Sequence, residues 1–324
     1  MGALVLVGGA AVWRVRAINR NEQDAALIVR RWFAAQPQAS YTSIEIARFR
    51  VGNKLVESEA RVARRPHMHR IQYITPPLSG VTIWQDNGKT YNFDPKGRQL
   101  EIFDKSRHHH VEEEALVLRN YQPRLEGLDT IAGRPAYRVR LAPQHPGDAW
   151  ERVWIDRETY FRLGDEDYDG DSRLLRATRF TRISFDSVDP DQFRPPQYVM
   201  SLARRTYSDE AQSKSVVQVS QAIGFPIKLP PYVPPGYLFD GAYTYPCQCG
   251  CEKPAAQVRW TNGLKTISMF ECGHPCGRGA ACSFTASPRS ASIQASVGDE
   301  SFLFVGEISR AEREKMARSL KSRG

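Results

Sequence analysis

Residues 21–35 carry the first regular pattern: Ala25, Ile28, Val29, Trp32 and Phe33 fall on one face at helical spacing, and Gln36-Pro37 ends the run. Beyond it the period drops to two. Tyr41 to Val51 alternates as a strand, with a shift near Ala47 that predicts a bulge, and Gly52-Asn53 turns it. Leu55 to Arg64 and His67 to Thr75 are the next strands. The stretch Ile71 to Phe103 then reads strand, turn, strand, turn, strand. Val81 and Ile83 alternate with Thr82 and Trp84, Asp86-Asn87-Gly88 accepts the positive φ of a tight turn, Tyr91 and Phe93 carry the following strand, and Asp94-Pro95-Lys96-Gly97 closes it before Leu100 and Ile102. Such aromatic strands on short turns predict an antiparallel sheet with one adhesive face.

The pattern continues with a short helix over His108 to Asn120. Strands are predicted around Ala132-Gly133-Arg134-Pro135 (Leu128 to Leu141), over Trp150 to Asp156, over Tyr160 to Leu163 and over Leu174 to Phe185, with a turn at Asp169-Gly170-Asp171-Ser172. About ten strands with few intervening helices exclude a βαβ fold. They indicate an α+β class: a large curved antiparallel sheet, a half-barrel wrapped on helices, followed by a smaller Cys-rich α+β domain. The expected division is 1–20 as an export signal or anchor remnant, 21–196 as the half-barrel, 197–219 as a linker, with a final strand at Ser215 to Val219 as the alternative reading of its end, and 220–324 as the small domain. That domain opens on the proline-rich GFPIKLPPYVPPGY and ends in a strand, Ser301 to Val305, and a basic helix, Ser309 to Ser322.

Composition narrows this picture. The chain has 324 residues and a formal net charge of +9. A length beyond single-core size fits two domains. Excess positive charge admits nucleic acid or an anionic membrane surface as partner. Yet in Tyr137-Arg138-Val139-Arg140-Leu141 the arginines alternate with apolar residues, as on the solvated face of a half-buried sheet, and no nucleic-acid-reading motif is present. No nucleic acid is therefore expected. Ala3 to Trp13 is apolar but too short to span a bilayer, has the length of a signal-peptide core, and is followed by Arg14, Arg16 and Arg20. An extracytoplasmic protein, periplasmic or at the cell surface, free or anchored at its N-terminus, is the expectation.

Candidate chemistry is sparse. All six cysteines, Cys247, Cys249, Cys251, Cys272, Cys276 and Cys282, form two clusters. In an exported chain they are expected to form disulfides between the clusters, with zinc as the alternative and His274 as an added ligand; no cofactor is otherwise implied. Asp165 to Asp171 starts like a calcium loop but has Arg176 where the bidentate acid belongs, which leaves an acidic hairpin tip. His108-His109-His110 reads as an exposed helix start, and His67 and His69 as solvent-facing strand positions. No catalytic constellation stands out, so a binding protein is expected rather than an enzyme.

The helix before YTSIEI, the W-x-D-N-G-K-x-Y-N-F-D-P hairpin, the GRPAYRV stretch within Gly127 to Leu141, and WID-x-ET-Y at Trp154 to Tyr160 together resemble the LolA/RseB-like superfamily of bacterial envelope proteins, over about Asn21 to Pro196. The segment from GFPIKLPPYVPPGY to FLFVGEIS is similar to the C-terminal domain of RseB-like sigma-factor regulators, and the six cysteines depart from that pattern. The resemblance implies a concave apolar face that holds acyl chains of lipids or lipoproteins, and a second domain that contacts a membrane anti-sigma factor. The expected ligand wall is Ile71, Tyr73, Ile83, Tyr91, Phe93 and Val139. The alternatives are a LolA-type lipoprotein carrier and a metal-binding interaction protein using the cysteines.

Overall fold

The computed structural model describes residues 24–51, 54–86, 88–105, 114–202, 204–209, 215–246, 254–273, 292–298 and 300–321. Helix α1 covers residues 24–35. Eleven strands then form two antiparallel meanders, β1 (Tyr41–Val51), β2 (Lys54–Arg65), β3 (Met68–Tyr73), β4 (Thr82–Asp86), β5 (Lys89–Asp94) and β6 (Gln99–Lys105), and, after helix α2 (Glu114–Asn120), β7 (Tyr121–Ile131), β8 (Arg134–Pro143), β9 (Trp150–Asp156), β10 (Arg162–Tyr168) and β11 (Leu174–Ser184), joined by the pairing of β1 with β11. Strand β12 (Arg204–Asp209) joins the same sheet parallel to β6, which gives the order β12-β6-β5-β4-β3-β2-β1-β11-β10-β9-β8-β7. The bulge in β1 lies between Ile44 and Glu45 rather than at Ala47.

After helix α4 (Val216–Ile223) a second sheet forms, in the order β13-β14-β15-β17-β16, from β13 (Leu238–Pro246), β14 (Pro254–Thr261), β15 (Thr266–Cys272), β16 (Ser292–Val297) and β17 (Glu300–Val305), and helix α5 (Arg310–Lys321) follows. The mostly-β α+β class stands. The strand expected at Ser215 to Val219 is instead the start of α4. Ser215 accepts from the Gln218 amide while Gln218 reaches back to the Ser215 amide, a capping box that fixes a helix start. Nor is the stretch before it only a linker, because β12 belongs to the first sheet. Of the cysteines, Cys272 is buried at the end of β15; the other five, His108 to His110 and residues 1–20 lie outside the described residues.

Directly opposed residues of an antiparallel ladder share a face, so the registers trace two faces across the first sheet. On one, which we term inner, Val139 opposes Val153, then Asp165, Thr178, Ala47 and Ser58; Phe180 opposes Glu45, then Ala60 and Tyr73; Val62 opposes Ile71, then Ile83. On the outer face Arg70 opposes Trp84, then Tyr91, while Gln72 opposes Thr82, then Phe93. Helix α1 covers one end of the inner face: Ile28, Val29 and Trp32 pack on Val117, Tyr121, Val139, Leu141, Val153 and Ile155, as the helical spacing requires. On the outer face the chain between β11 and β12 forms a 3-10 turn (Pro190–Phe193) and α3 (Gln197–Met200). Val199 is buried with Trp84, Phe93, Leu100 and Ile102.

Candidate functional site

The inner face left uncovered by α1 holds a cavity of about 740 Å3, bounded by β1, β2, β3, β10 and β11 and by the β14–β15 hairpin and the end of β17. Its two ends differ. Tyr41, Val62, Ile71, Tyr73, Phe161 and Phe180 form an apolar wall, with the Tyr41 and Phe161 rings 4.8 Å apart. Glu151, Asp165, Asp167, Arg176, Lys265 and Glu307 form a charged end. A cavity of this volume is the size of a typical ligand site, and Glu45, Arg50, Arg64, His69 and Arg162 line it as well.

Of the six residues expected as the wall, Ile71 and Tyr73 line this cavity. Ile83 shares their face, one strand further out. Val139 is fully buried beneath α1, so it serves as core. Tyr91 and Phe93 do not belong to this wall: they project from the opposite face and pack with Trp84 under α3. The strand period explains the error, because Ile83 and Trp84 are consecutive and point to opposite sides. The aromatic stretch thus serves two faces, not one.

The charged end is where the sequence misled most. Asp165 and Asp167 are not a solvated tip but buried inner-face residues of β10. Lys265, from the second sheet, is buried too, and its Nζ lies 2.6 Å from Glu151 Oε1, 3.2 Å from Asp167 Oδ1 and 3.0 Å from Glu307 Oε2. Arg176 Nη2 lies 2.6 Å from Asp167 Oδ2 and 3.4 Å from Asp165 Oδ2. Burial alone favours neutral forms; the facing charges outweigh it. They hold Lys265 well above the usual amine range and Asp167 well below the usual carboxylate range.

The hairpin that delivers Lys265 is fixed by Asn262-Gly263. Asn262 Oδ1 accepts from the Leu264 and Lys265 amides at 3.1 and 2.8 Å, and its Nδ2 donates to Tyr121 Oη at 2.8 Å. Asn120 Nδ2 donates to Asn262 O at 2.9 Å and to Gly236 O at 3.0 Å. Gly263 takes φ +91°, and a Cβ there would stand 2.7 Å from Val117 N, so only glycine fits. Leu264 then enters the core beneath α1. A second seam is made by backbone alone: Gly170 N donates to Glu307 O and Ser309 N to Gly147 O, both at 2.7 Å. Sequence reasoning missed this hairpin, although Asn-Gly between apolar runs is a readable turn signal.

Glu45 and His69 also line the cavity, Glu45 directly opposite Phe180. Burial pushes the Glu45 carboxyl up to about 7, against the pull of Ser43 Oγ, which donates to it at 2.7 Å. Burial, with Arg64 nearby, lowers His69 to about 4, and its Nε2 is covered. His69 is thus a neutral cavity residue rather than a solvent-facing one. His67 is exposed, at a turn with φ 63°. Among the described residues no three His, Cys, Asp or Glu side chains gather as metal ligands, and no helix is long and apolar enough to cross a membrane.

Residues 78–198 match the family model for the MucB/RseB N-terminal domain. No match is found among curated proteins. Among solved structures, the chain is similar to that of the Pseudomonas aeruginosa MucA/MucB complex, with 16% identity over 91% of this chain and 97% of that one and a TM-score of 0.64. A structure of MucB in complex with MucA(peri) gives 16% identity, coverage of 90% and 97%, and a TM-score of 0.63. A structure of MucB gives 18%, 92% and 97%, and 0.58. The shared fold extends over both sheets. Within the first sheet, residues 78–198 thus carry a match to the MucB/RseB N-terminal domain, and the fold of the chain as a whole resembles that of MucB.

Proposed function

We propose that this chain is an extracytoplasmic, non-enzymatic binding protein. In this reading it regulates envelope signalling by engaging a membrane anti-sigma factor, and its inner-face cavity receives an acyl chain of a lipid or lipoprotein. The observation that carries the ligand half is the cavity itself, whose wall includes the apolar side chains Tyr41, Val62, Ile71, Tyr73, Phe161 and Phe180 and whose Lys265 end is charged. Each methylene buried against such a wall contributes about 0.8 kcal/mol, so acyl binding needs no polar motif. The partner half is supported by the MucB fold, which in solved structures is seen in complex with MucA. For the same reason we propose a division into a first domain that runs through β12 to Asp209 and a second from Ser215, the cap of α4. No pairing or metal is assigned to the cysteines.

A dansylated fatty acid tests the cavity. Its emission should rise on binding the full chain. Ala47→Trp, which fills the cavity, and Tyr73→Asp, which charges its wall, should each abolish that rise while the far-ultraviolet spectrum is kept. Undiminished binding by both variants would remove the cavity as the site. Separately, the periplasmic segment of the anti-sigma factor should be retained by the immobilised full chain.

A further inference from the structure

The outer face of the first sheet carries a second recess, unrelated to the cavity. Two adjoining hollows, of about 840 and 400 Å3, share Arg70, Gln72 and Gln192. They cross from β11 over β1, β2 and β3 to the β4–β5 region, roughly 20 Å at about 4.8 Å per strand. Arg61 and Arg182 line the first hollow and Arg194 the second. Ile44 is opposed by Arg61 on one side and by Arg182 on the other, so these two guanidinium groups flank one residue on one face. Arg70 Nη2 donates to Gln72 Oε1 at 3.2 Å, and its Nε is covered without an acceptor.

Elsewhere in the sheet several arginines are paired with carboxylates or, like Arg140 and Arg179, lie over the rings of Trp150 and Trp154. Arg134, Arg138, Arg152 and Arg176 each lie within 3.0 Å of a carboxylate oxygen. The four groove arginines have no such partner among the described residues, and Asp191 is the one carboxylate among the described residues lining either hollow. Clustered guanidinium groups repel one another, and a row of carboxylates relieves that repulsion through charge-assisted hydrogen bonds. A span of roughly 20 Å accommodates about six residues of extended peptide. Gln72 and Gln192 supply amides for its backbone, and the exposed ring of Tyr198 stands at the far end. The recess runs between the sheet and the 190–198 segment, which suits a strand-like ligand better than a flat bilayer.

We infer that this groove binds an acidic, extended peptide segment of a protein partner, with Arg61, Arg70, Arg182 and Arg194 reading its carboxylates. The inference does not depend on lipid binding, which uses the opposite face.

Fluorescence anisotropy of a labelled peptide of alternating glutamate and serine, added to the full chain, tests it. Saturable binding should weaken about tenfold or more in R61E/R182E, and to a smaller extent in R61Q/R182Q, which retains the sheet surface with the charge removed. R124E/R318E makes the same net-charge change elsewhere and should leave binding within about twofold. Equal weakening in both charge-reversed variants would overturn the groove in favour of a net-charge effect. Loss of phosphatidylglycerol vesicle binding in R61E/R182E, with the peptide bound by neither protein, would overturn it in favour of a membrane face.

Discussion

Lys265 shows what a single buried charge does here. Three carboxylates surround it, so removing it strands Glu151 and Asp167 in a site that water reaches poorly. Lys265→Met is expected to destabilise the chain by about 3–5 kcal/mol in urea unfolding. Adding Glu151→Gln and Asp167→Asn should recover much of that loss, because the desolvated charges go together. Glu45 makes the opposite kind of demand. Its carboxyl is raised to about 7 in the fold. Its contribution is therefore complete below the ordinary carboxylate range, near 4.5, and disappears as pH rises through about 7. Glu45→Gln should flatten that part of the stability profile, checked by urea midpoints at pH 5 and pH 8. None of this was legible from the sequence. Asp165-Glu166-Asp167 looks like a solvated tip until Arg176 and Lys265 are placed beside it, and Lys265 lies some hundred residues away in a different sheet.

At the scale of elements, the sequence spoke clearly where one short-range rule decides the outcome. Trp32 and its helical neighbours marked the buried stripe of α1, and Ala132-Gly133 marked the β7–β8 turn. It failed where period two had to be assigned a side. Ile71 and Tyr91 look equivalent in a list of aromatic strands, and only the register separates them onto two faces. The β14–β15 hairpin offers a test of what local geometry contributes. Gly263→Ala meets both a positive φ and the Val117 backbone, and is expected to cost about 1–3 kcal/mol. Gly133→Ala, at φ +75° in open space, should cost about 1 kcal/mol. The difference in their urea midpoints isolates the seating of the hairpin against α2.

For the whole molecule, the two sheets share one set of buried contacts: the Lys265 cluster, Leu264 under α1, and the Gly170–Glu307 and Ser309–Gly147 backbone bonds. A single calorimetric transition is expected for the native chain, and two for Lys265→Met. Period-two alternation and turn residues gave most strands of the first sheet, β12 excepted. How the two sheets lock together could not be read, since a lysine, an asparagine and three acids carry no pattern until folded. Acidity also acts on the whole molecule. Burial raises Asp148 to about 7 and Glu271 to about 8, while His69 falls to about 4. Asp148 loses stability as pH climbs from 3.8 to about 7 and Glu271 from 4.5 to about 8, while His69 loses it as pH falls from 6.5 to about 4. Three raised carboxyls, Glu45 included, outweigh the one lowered imidazole, so stability should fall as pH rises from about 5 to 8, as urea midpoints across that range would register.

Strand β12 reaches back across about a hundred residues to lie beside β6, and in parallel, so no hairpin can deliver it. Strands β1 to β6 and β7 to β11 can each zip up neighbour by neighbour, and β11 then closes on β1 across more than a hundred residues. The twelfth must wait until the chain has crossed the outer face and laid down residues 185–203. A chain cut at Pro196 would leave β6 as a bare edge, ready to pair with another copy. The last stitch of the first sheet thus lies beyond the point where the motif-bearing stretch ends, and a fragment chosen by motif alone would be expected to aggregate where one extended through Asp209 stays monomeric, as light scattering of the two would register.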